Sequence, residues 1–359
     1  MPRSIGFENI ENFRDLGGYA CDYGETEFGV FFRSATLASA TPSDIEKIHS
    51  LGIKTVIDLR DGSRKEAEPS PIRGDSRFHY VSLFVHGAGR IPRDFEDQID
   101  SYIEMFDEPE SAKAILNAFL HEEKPILFHC DAGKDRTGAF AFLLLSLAGV
   151  RFEDINADYM LSFPYLPKAT EKAKALGKDI IPELLLTPRI DFLYAVKDAF
   201  MKRFGSFKAY IVDFLGMDQW DLRNLQNVMG KQEKSCGAVL FHNDKVLVEQ
   251  MSLGHFAHPK GHVEASDASE WDTARREILE ELGLHAKAVG DKRFFRDYSP
   301  RPGRYKRVVF FVAETDEEEI HVDGKEVTAA YWMSVEEALK ALTHESDRSV
   351  LLLALEARP

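Results

Sequence analysis

The sequence predicts an α/β protein built from two domains. Its 359 residues suffice for two domains at roughly 150 residues each. Strand patterns alternate with helical patterns before residue 230, whereas the remainder alternates hairpin-like strands with one strongly helical segment. The composition, 44% hydrophobic and 29% charged, is typical of a globular protein and argues against a disordered chain.

In the first domain, short apolar runs predict strands at residues 53–60 and 125–129. Helical patterns surround these strands at residues 41–51, 97–106, 111–119 and 188–204. Strands separated by helices indicate a mainly parallel sheet that is flanked by helices on both faces. The apolar stretch 139–150 is too short to span a bilayer and predicts a buried helix, so membrane insertion is not expected.

The second domain begins after a polar stretch that contains Gly230. Two apolar runs follow and flank the residues His-Asn-Asp at 242–244, which is a β-hairpin pattern. Helices are predicted at residues 269–282 and 335–342. We place the boundary in the polar stretch, which gives domains 1–231 and 234–359.

Charge and cysteine usage exclude some classes of function. Lys and Arg number 45 against 60 Asp and Glu, a formal net charge of −15, which disfavours a general nucleic-acid-binding role. The chain starts without an apolar signal segment, and the three cysteines, Cys21, Cys130 and Cys236, are far apart and odd in number. These features predict a cytoplasmic protein without a disulfide framework. The sequence indicates no oligomeric state.

The strongest motif of the first domain is the run His-Cys-Asp-Ala-Gly-Lys-Asp-Arg-Thr-Gly at 129–138, between a predicted strand and an apolar helix. A loop in this place directs backbone N–H groups and the positive end of the helix at one point, which suits an anion and a thiolate. Cys130 is therefore a candidate nucleophile, and Arg136 can fork two phosphate oxygens. The alternative is a buried structural cysteine followed by a helix cap. The order and spacing of the whole run favour the site.

The loop resembles the signature of the cysteine-dependent phosphatases, His-Cys-x-x-Gly-x-x-Arg-Thr/Ser-Gly. Further runs at 12–19, 32–37, 58–60 and 204–216 are similar to the bacterial tyrosine-phosphatase-like branch whose loop contains Gly-Lys-Asp-Arg-Thr-Gly. The resemblance implies the phosphatase fold, attack of Cys130 on phosphorus, and hydrolysis of a phosphocysteine. It also implies a set of phosphate-binding residues beside Arg136, namely Asp131, Ala132, Gly133, Lys134, Thr137 and Gly138.

A leaving alkoxide needs a proton from a carboxylic acid within hydrogen-bond reach. Asp135 is the first candidate, because the branch that the loop resembles carries Asp there. Asp58, at the end of a predicted strand, and Asp94 are alternatives, and each of the three can equally be a surface carboxylate. Lys134 adds a second cation, which in similar enzymes accompanies multiply phosphorylated substrates, so phosphotyrosine is not assumed.

The predicted helix 269–282 carries three glutamates at spacing i, i+3 and i+4 on one face: Glu277, Glu280 and Glu281. Three like charges repel one another unless a cation lies among them, and Mg²⁺ prefers oxygen ligands of this kind. The alternative is a solvated acidic face that pairs with Arg275 and Arg276.

The same stretch resembles a Nudix box, Gly-x5-Glu-x7-Arg-Glu-U-x-Glu-Glu-x-Gly-U, where U is aliphatic. Residues 276–284 match completely, whereas Gly261 falls one residue early and Asp267 stands near the first Glu, as a one-residue insertion would produce. The resemblance implies an α/β/α sandwich with a mixed sheet and an Mg²⁺ or Mn²⁺ ion. It implies metal-site residues Lys260, Glu277, Glu280 and Glu281, and catalytic residues Glu280 and Glu326.

The segment 292–307 holds seven basic residues and one acid. The residues around it are similar to the dinucleoside polyphosphate and diphosphoinositol polyphosphate hydrolase branches. The segment is either a polyphosphate-binding patch or a solvated hairpin.

These motifs together predict a bifunctional phosphate hydrolase that acts on a phosphorylated small molecule or phosphoprotein. Its first domain would be a phosphomonoesterase, and its second a metal-dependent pyrophosphohydrolase for a nucleotide-like or inositol polyphosphate metabolite. One alternative is a protein tyrosine phosphatase that is regulated by a nucleotide-sensing Nudix domain. The other is an inactive scaffold that binds phosphorylated ligands.

Overall fold

The chain divides into two units in the structure, which is a computed structural model that describes residues 3–85, 92–176, 183–322 and 324–358. The first unit comprises Met1–Lys231 with Arg301–Arg304, and the second comprises Gln232–Pro300 with Tyr305–Pro359.

The first unit contains short strands separated by helices. Its strands are β1 (Arg14–Asp15), β2 (Ala20–Cys21), β3 (Gly24–Glu25), β4 (Phe31–Ser34), β5 (Thr55–Asp58), β6 (His79–Ser82) and β7 (Ile126–His129). Its helices are α1 (Pro42–Ser50), α2 (Gly62–Ala67), α3 (Phe95–Phe106), α4 (Pro109–His121), α5 (Arg136–Leu147), α6 (Phe152–Met160), α7 (Pro167–Leu176), α8 (Glu183–Leu186), α9 (Phe192–Phe204), α10 (Phe207–Ala209) and α11 (Gln219–Asn227), with a π-helical turn at Tyr210–Phe214.

The main sheet of this unit has the strand order β1-β4-β7-β5-β6, and all its pairs are parallel except β1 with β4. Side chains alternate between its two faces. Phe32 and Leu127 pack in one core with Ile48 of α1, whereas Phe31 and Phe128 pack against Phe119 of α4. The predicted parallel sheet between helical layers is therefore confirmed.

Helix α5 is the buried centre of the first unit. Every residue of α5 except Arg136 and Ser146 is buried, as the apolar stretch 139–150 predicts. The helix has no polar face because it is surrounded by protein on all sides.

The second unit holds the longer strands. They are β8 (Lys231–His242), β9 (Lys245–Met251), β10 (Phe256–Ala257), β11 (Lys260–His262), β12 (Lys287–Tyr298), β13 (Arg304–Glu314) and β14 (Val327–Met333). The helices are α12 (Glu270–Leu282), α13 (Val335–Ala341) and α14 (Glu345–Ala357). The strand order is β10-β9-β8-β13-β12, with β11 added to β8 and β14 to β9.

This second sheet is sandwiched between helices. One face packs on Ile278 and Leu282 of α12, and the other packs on Val350 and Leu351 of α14. The predicted α/β/α sandwich is confirmed. The predicted hairpin joins β8 to β9 through Asn243, whose φ is +53°, in the left-handed region that asparagine tolerates.

One predicted helix begins at a different residue in the structure, and one observed helix was not predicted. The predicted helix 188–204 begins later, at Phe192, and residues 188–191 before it form a loop and a turn. Helix α14 has no counterpart among the predicted elements. Its run Val-Leu-Leu-Leu-Ala-Leu at 350–355 is continuously apolar, so the helical period is hidden although Leu352 and Leu353 are exposed.

We expect Phe106→Ala to lower the free energy of unfolding by about 3–5 kcal/mol, because it removes a buried ring and leaves a cavity that the neighbouring side chains do not fill. Phe106 is 0% exposed, and its ring contacts those of Phe140, Phe142, Phe200 and Tyr210. Urea unfolding of the full chain measures the loss. Ile190→Ala, at a side chain that is 70% exposed, is the control and should change stability by less than about 0.5 kcal/mol. Equal effects of the two substitutions would contradict the assignment of Phe106 to the core.

Candidate functional site

The loop that contains Cys130 lies at the carboxyl edge of the parallel sheet. It follows β7, which pairs with β4 on one side and β5 on the other, and it ends where α5 begins at Arg136. Ligands of open α/β sheets bind at this edge. The N-terminus of α5 adds the positive end of its dipole. Cys130 itself is buried, with 2% of its surface exposed.

The carbonyl oxygens of the loop are held by the surrounding protein. The donors are the Asn12 amide to Ala132 O at 2.9 Å, Arg33 Nη2 to Gly133 O at 2.7 Å, and Thr36 N–H to Asp131 O at 2.8 Å. Within the described residues, the N–H groups of residues 131–135 donate to no protein acceptor. A loop with its carbonyls occupied and its N–H groups available forms an anion-binding concavity.

Gly133 is required by the backbone of this loop. Its φ is +65°, and a Cβ at this position would lie 2.1 Å from the carbonyl oxygen of Ser34, at the end of β4. The left-handed conformation and the close approach both exclude a larger residue. Glycine therefore lets the loop lie directly against the edge of the sheet.

The first turn of α5 presents polar atoms that lack a protein partner. Nη2 of Arg136 donates to Asp131 Oδ2 at 2.5 Å, whereas its Nη1 is buried without an acceptor among the described residues, as is the hydroxyl of Thr137. Burial lowers the pKa of the Arg136 guanidinium, but the negative charges of Cys130 and Asp131 outweigh it and raise that pKa above its usual value. Two buried donors next to the N–H groups of the loop suit a phosphoryl ligand.

Asp135 lies between the loop and α5, at the position before the first turn of the helix. Its Oδ1 accepts a hydrogen bond from the buried hydroxyl of Tyr102 at 2.7 Å and lies 3.7 Å from Nζ of Lys134. The Asp135 side chain remains 35% exposed. It is thus a carboxylate that is oriented by the protein and still accessible.

Asp58 is placed differently. Its buried carboxylate accepts from Arg60 Nη2 at 2.7 Å and from the hydroxyl of Tyr80 at 2.6 Å. His129 Nε2 lies 3.8 Å away. Burial raises the pKa of this carboxyl, but His129 and the donors on Arg60 and Tyr80 hold it below its usual value. The Asp58 carboxylate is therefore ionised, and it is already hydrogen-bonded to Arg60 and Tyr80.

The other two predicted groups near the loop also have protein partners. Asp94 is the N-cap of α3 and accepts from the N–H of Asp97 at 2.8 Å. Nζ of Lys134 donates to the carbonyl oxygen of Leu185 at 2.8 Å and lies 5.1 Å from the ring centre of Phe163. The Lys134 ammonium is thus directed to α8.

In the second unit, Arg276 connects the acidic groups of α12. Its Nη1 lies 2.9 Å from Glu277 Oε1 and 3.0 Å from Glu280 Oε2. Its Nε and Nη2 donate hydrogen bonds to Oδ1 and Oδ2 of Asp267, at 3.0 and 3.1 Å. Asp267, the residue near the first Glu of the Nudix box pattern, is thus paired with Arg276, and it accepts a further hydrogen bond from Thr273 at 2.8 Å.

Glu281 lies on the same helix but faces inward. It is 6% exposed, and its Oε2 has no hydrogen-bond partner among the described residues. Burial and the charge of Glu277 raise the pKa of the Glu281 carboxyl. No three His, Cys, Asp or Glu side chains of the described residues are grouped as metal ligands in this conformation. A buried carboxylate oxygen without a donor nevertheless fits a hard cation.

The remaining predicted residues of this site lie around Glu277. A Cβ on Gly261 would lie 1.9 Å from Cδ of Glu277, so strand β11 runs directly against that carboxylate. Lys260, next to it, donates to His258 O at 3.3 Å. Glu326 is exposed, and its charge raises the pKa values of Glu277 and Glu281 after the larger effect of burial.

The basic segment 292–307 has acidic and carbonyl partners. Arg307 forms two contacts of 2.7 Å with Asp297, Arg293 pairs with Glu270 at 3.1 Å, and Arg296 donates to a carbonyl oxygen of α14 at 3.2 Å. These three arginines are therefore bound to protein groups, which leaves Lys306 of the same segment as a candidate for a phosphate ligand.

Comparison with known proteins assigns both units. A model of the tyrosine phosphatase family matches residues 5–230. The chain belongs to this family. A model of the NUDIX domain matches residues 231–354, so the chain joins a tyrosine phosphatase domain to a Nudix domain and is a hydrolytic enzyme. Both families act on phosphorylated substrates.

Individual relatives cover different parts of the chain. A protein of Cupriavidus necator that is named as a tyrosine-protein phosphatase is 32% identical over 239 residues, which cover 61% of this chain and 86% of that protein. A tyrosine-protein phosphatase of Nostoc commune is 32% identical over 155 residues, with 41% and 53% covered. Among solved structures, an Ap4A hydrolase of C. elegans is 24% identical, with a TM-score of 0.32 over 35% of this chain and 96% of that one.

No helix among the described residues combines the length and the apolar composition that crossing a membrane requires.

The phosphatase domain contains a buried ion cluster that the sequence did not reveal. Asp158 of α6 accepts from Arg14 Nε at 2.8 Å, Arg33 Nη1 at 2.6 Å and the Tyr19 hydroxyl at 3.1 Å. The second nitrogen of Arg33 is the donor to Gly133 O. In the sequence, Asp158 looks like a surface residue of an amphipathic helix, so no local signal marks it.

Two further residues near the sites were also missed. Tyr102 of α3 orients Asp135, and its hydroxyl is indistinguishable in sequence from that of a core tyrosine. Glu249 of β9 is buried beside α12, and the available signal was an acid directly after the apolar run 246–248.

We expect Asp158→Asn to destabilise the phosphatase domain by about 3–5 kcal/mol, because it leaves two buried guanidiniums without an anionic partner. Asp191→Asn is the matched control, since it removes an exposed ion pair with Arg189 and should cost less than about 1 kcal/mol. Urea unfolding at pH 7 compares the two. A loss from Asp158→Asn no larger than that from Asp191→Asn would show that the cluster does not stabilise the domain.

The same cluster predicts a pH dependence. Burial opposes ionisation of Asp158, but Arg14 and Arg33 lower its pKa to about 2 from 3.8. Because the folded pKa is depressed, this stabilisation is complete above pH 4 and is lost as the pH falls towards 2. The wild-type protein should lose this stability in that window, and the Asp158→Asn variant should not show that component.

Proposed function

We propose that this protein is a bifunctional phosphate hydrolase. The phosphatase domain removes a phosphoryl group from a phosphomonoester through Cys130. The Nudix domain hydrolyses a phosphoanhydride of a nucleotide-like or inositol polyphosphate metabolite with the help of Mg²⁺ or Mn²⁺. The observation that carries the phosphatase assignment is the loop after β7, with its available N–H groups and the buried unpaired donors of Arg136 and Thr137.

In the phosphatase domain the loop binds the substrate phosphate. Its N–H groups, with Nη1 of Arg136, stabilise the negative charge on the non-bridging oxygens, which are held in place for attack. The Cys130 thiolate donates an electron pair to phosphorus, and the bond from phosphorus to the leaving oxygen breaks. Water then attacks the phosphocysteine, and the thiolate leaves with the electron pair of the S–P bond.

Asp135 serves as the general acid in this proposal. It is exposed enough to reach the leaving oxygen, and Tyr102 fixes its orientation. In the second step the same carboxylate accepts a proton from the attacking water. Asp58 is occupied by Arg60 and Tyr80, so we assign it a positioning role at the end of β5. Asp94 keeps its role as the cap of α3.

In the Nudix domain the carboxylates of Glu277, Glu280 and Glu281, with the main-chain oxygen of Lys260, would hold the divalent ion. Such an ion, when bound, polarises the phosphoanhydride and lowers the pKa of water. Glu280 is 59% exposed and can take a proton from the attacking water, as can Glu326. Arg276 contacts only Oε1 of Glu277 and Oε2 of Glu280, so the other oxygen of each carboxylate can bind the ion while Arg276 stays paired with Asp267.

Cations of this domain would bind the substrate phosphates. Lys306 of β13 is half-buried, and burial lowers its pKa, with a further contribution from the neighbouring Lys260. Both ammonium groups act electrostatically on the acidic site. We infer that the two lysines recognise the polyphosphate part of the substrate.

Cys130→Ser should abolish phosphomonoesterase activity, and Asp135→Asn should lower it by about 10²–10⁴-fold for substrates with a poor leaving group. The loss in Asp135→Asn should be much smaller with p-nitrophenyl phosphate, whose leaving group needs little protonation. Steady-state kinetics with aryl and alkyl phosphates measure this difference. Asp94→Asn is the control, because asparagine also caps a helix, and its activity should stay at the wild-type level. A loss that is independent of the leaving group would exclude Asp135 as the acid.

Glu280→Gln should remove only the metal-dependent activity, and Cys130→Ser only the phosphatase activity. A screen of dinucleoside polyphosphates, inositol pyrophosphates and phosphomonoesters, with and without Mg²⁺, supplies the substrates. A protein tyrosine phosphatase with a sensory Nudix domain would lose turnover only with the Cys130 substitution. An inactive scaffold would have no turnover to lose in either variant.

A further inference from the structure

Strand β9 presents alternate side chains to the two helical layers of the Nudix domain. Leu247 packs in the core that contains Ile278 and Leu282 of α12, whereas Val248 packs in the core on the side of α14. Since successive side chains of a strand point to opposite faces, Glu249 lies on the α12 face, two residues beyond Leu247. An acidic residue here is unexpected, because the position belongs to the interior of the sandwich.

The carboxylate of Glu249 lacks a hydrogen-bond donor among the described residues. Glu249 is 1% exposed, and neither oxygen of its carboxylate has a hydrogen-bond donor. Its neighbours on the adjacent strands are Ala330 and Ala257, which carry no polar side chain. A buried ionised carboxylate without a donor is destabilising by several kcal/mol, so the folded protein needs something else to satisfy it.

The group that Glu249 faces is another acid. Glu281 of α12 is also buried, and its Oε2 also lacks a donor. Burial, followed by the charge of Glu281, raises the pKa of Glu249. Lys260 is a cation that acts on both carboxyls, but its Nζ donates to the carbonyl oxygen of His258. The two inward-facing carboxyl groups thus contact one another, and no other group among the described residues donates to their unpartnered oxygens.

We infer that Glu249 is a further ligand of the divalent cation that Glu281 binds in the Nudix domain. This inference rests on the proposed function of that domain. It extends the proposed metal site from the glutamates of α12 to strand β9. Oxygen ligands from both elements would satisfy the orphaned carboxylates and supply the charge that a hard cation requires. The alternative is a pair of carboxyls that share one proton and bind no metal.

Mn²⁺ binding to the full chain tests this inference directly, by isothermal titration calorimetry without substrate. Glu249→Gln preserves the size of the side chain and should raise the Kd for Mn²⁺ by about 10–100-fold. Glu249→Leu should give the same loss and fills the position with an apolar side chain. Glu319→Gln is the matched control, because that glutamate is 85% exposed in the same domain, and it should leave the Kd unchanged.

Thermal unfolding of the metal-free and Mn²⁺-bound protein provides the second readout. Glu249→Gln should raise the Tm of the metal-free protein, because it removes a repulsive pair, and should reduce the increase in Tm that Mn²⁺ causes. A higher metal-free Tm with an unchanged Mn²⁺ Kd would overturn the inference in favour of a shared proton. If the wild-type chain binds no Mn²⁺ and shows no metal-dependent hydrolysis, the proposed Nudix activity itself fails.

Discussion

The buried carboxylate of Asp158 holds two guanidiniums, and the shape of the phosphatase loop depends on this interaction. Arg14 and Arg33 share the carboxylate, and Arg33 extends the cluster to the carbonyl oxygen of Gly133. That contact helps to turn the loop carbonyls outward, which leaves the N–H groups for an anion. Burial of three charges is unfavourable by itself, so the cluster exists only because each charged group has hydrogen-bonding partners.

The two sites present opposite imbalances of hydrogen-bonding groups. The phosphatase loop has buried donors without acceptors, at Arg136 and Thr137. The Nudix domain has buried acceptors without donors, at Glu249 and Glu281. Since buried polar groups are normally satisfied, each set of unpartnered atoms favours a ligand of the opposite charge. The first suits an anionic phosphoryl group, and the second suits a cation.

Much of the fold and part of each candidate site were predictable. The strand that leads to Cys130 and the helix that follows it were recognised because their apolar patterns are short and bounded. The glutamates of α12 were recognised by their helical spacing. The buried groups behind the two sites were not recognised. Asp158 contacts Arg33, and Glu249 contacts Glu281, although each pair is far apart in the sequence, and such pairs leave no periodic pattern. The side-chain directions of Asp58 and Lys134 were equally inaccessible, since each is set by contacts with residues far along the chain or in another element.

The sequence by itself determined which groups are candidates for the chemistry. A cysteine, a glycine and an arginine at fixed spacing between a strand and a helix specify an anion loop, and three acids on one face of a helix specify a charged face, because both patterns depend on local backbone geometry. Only the tertiary structure decided which carboxylates are available. Burial and partners from other elements occupy Asp58, leave Asp135 accessible and bring Glu249 to the side of α12. The pKa and the hydrogen bonds of a carboxyl group depend on everything that surrounds it in space, and the order of residues along the chain does not contain that information in readable form.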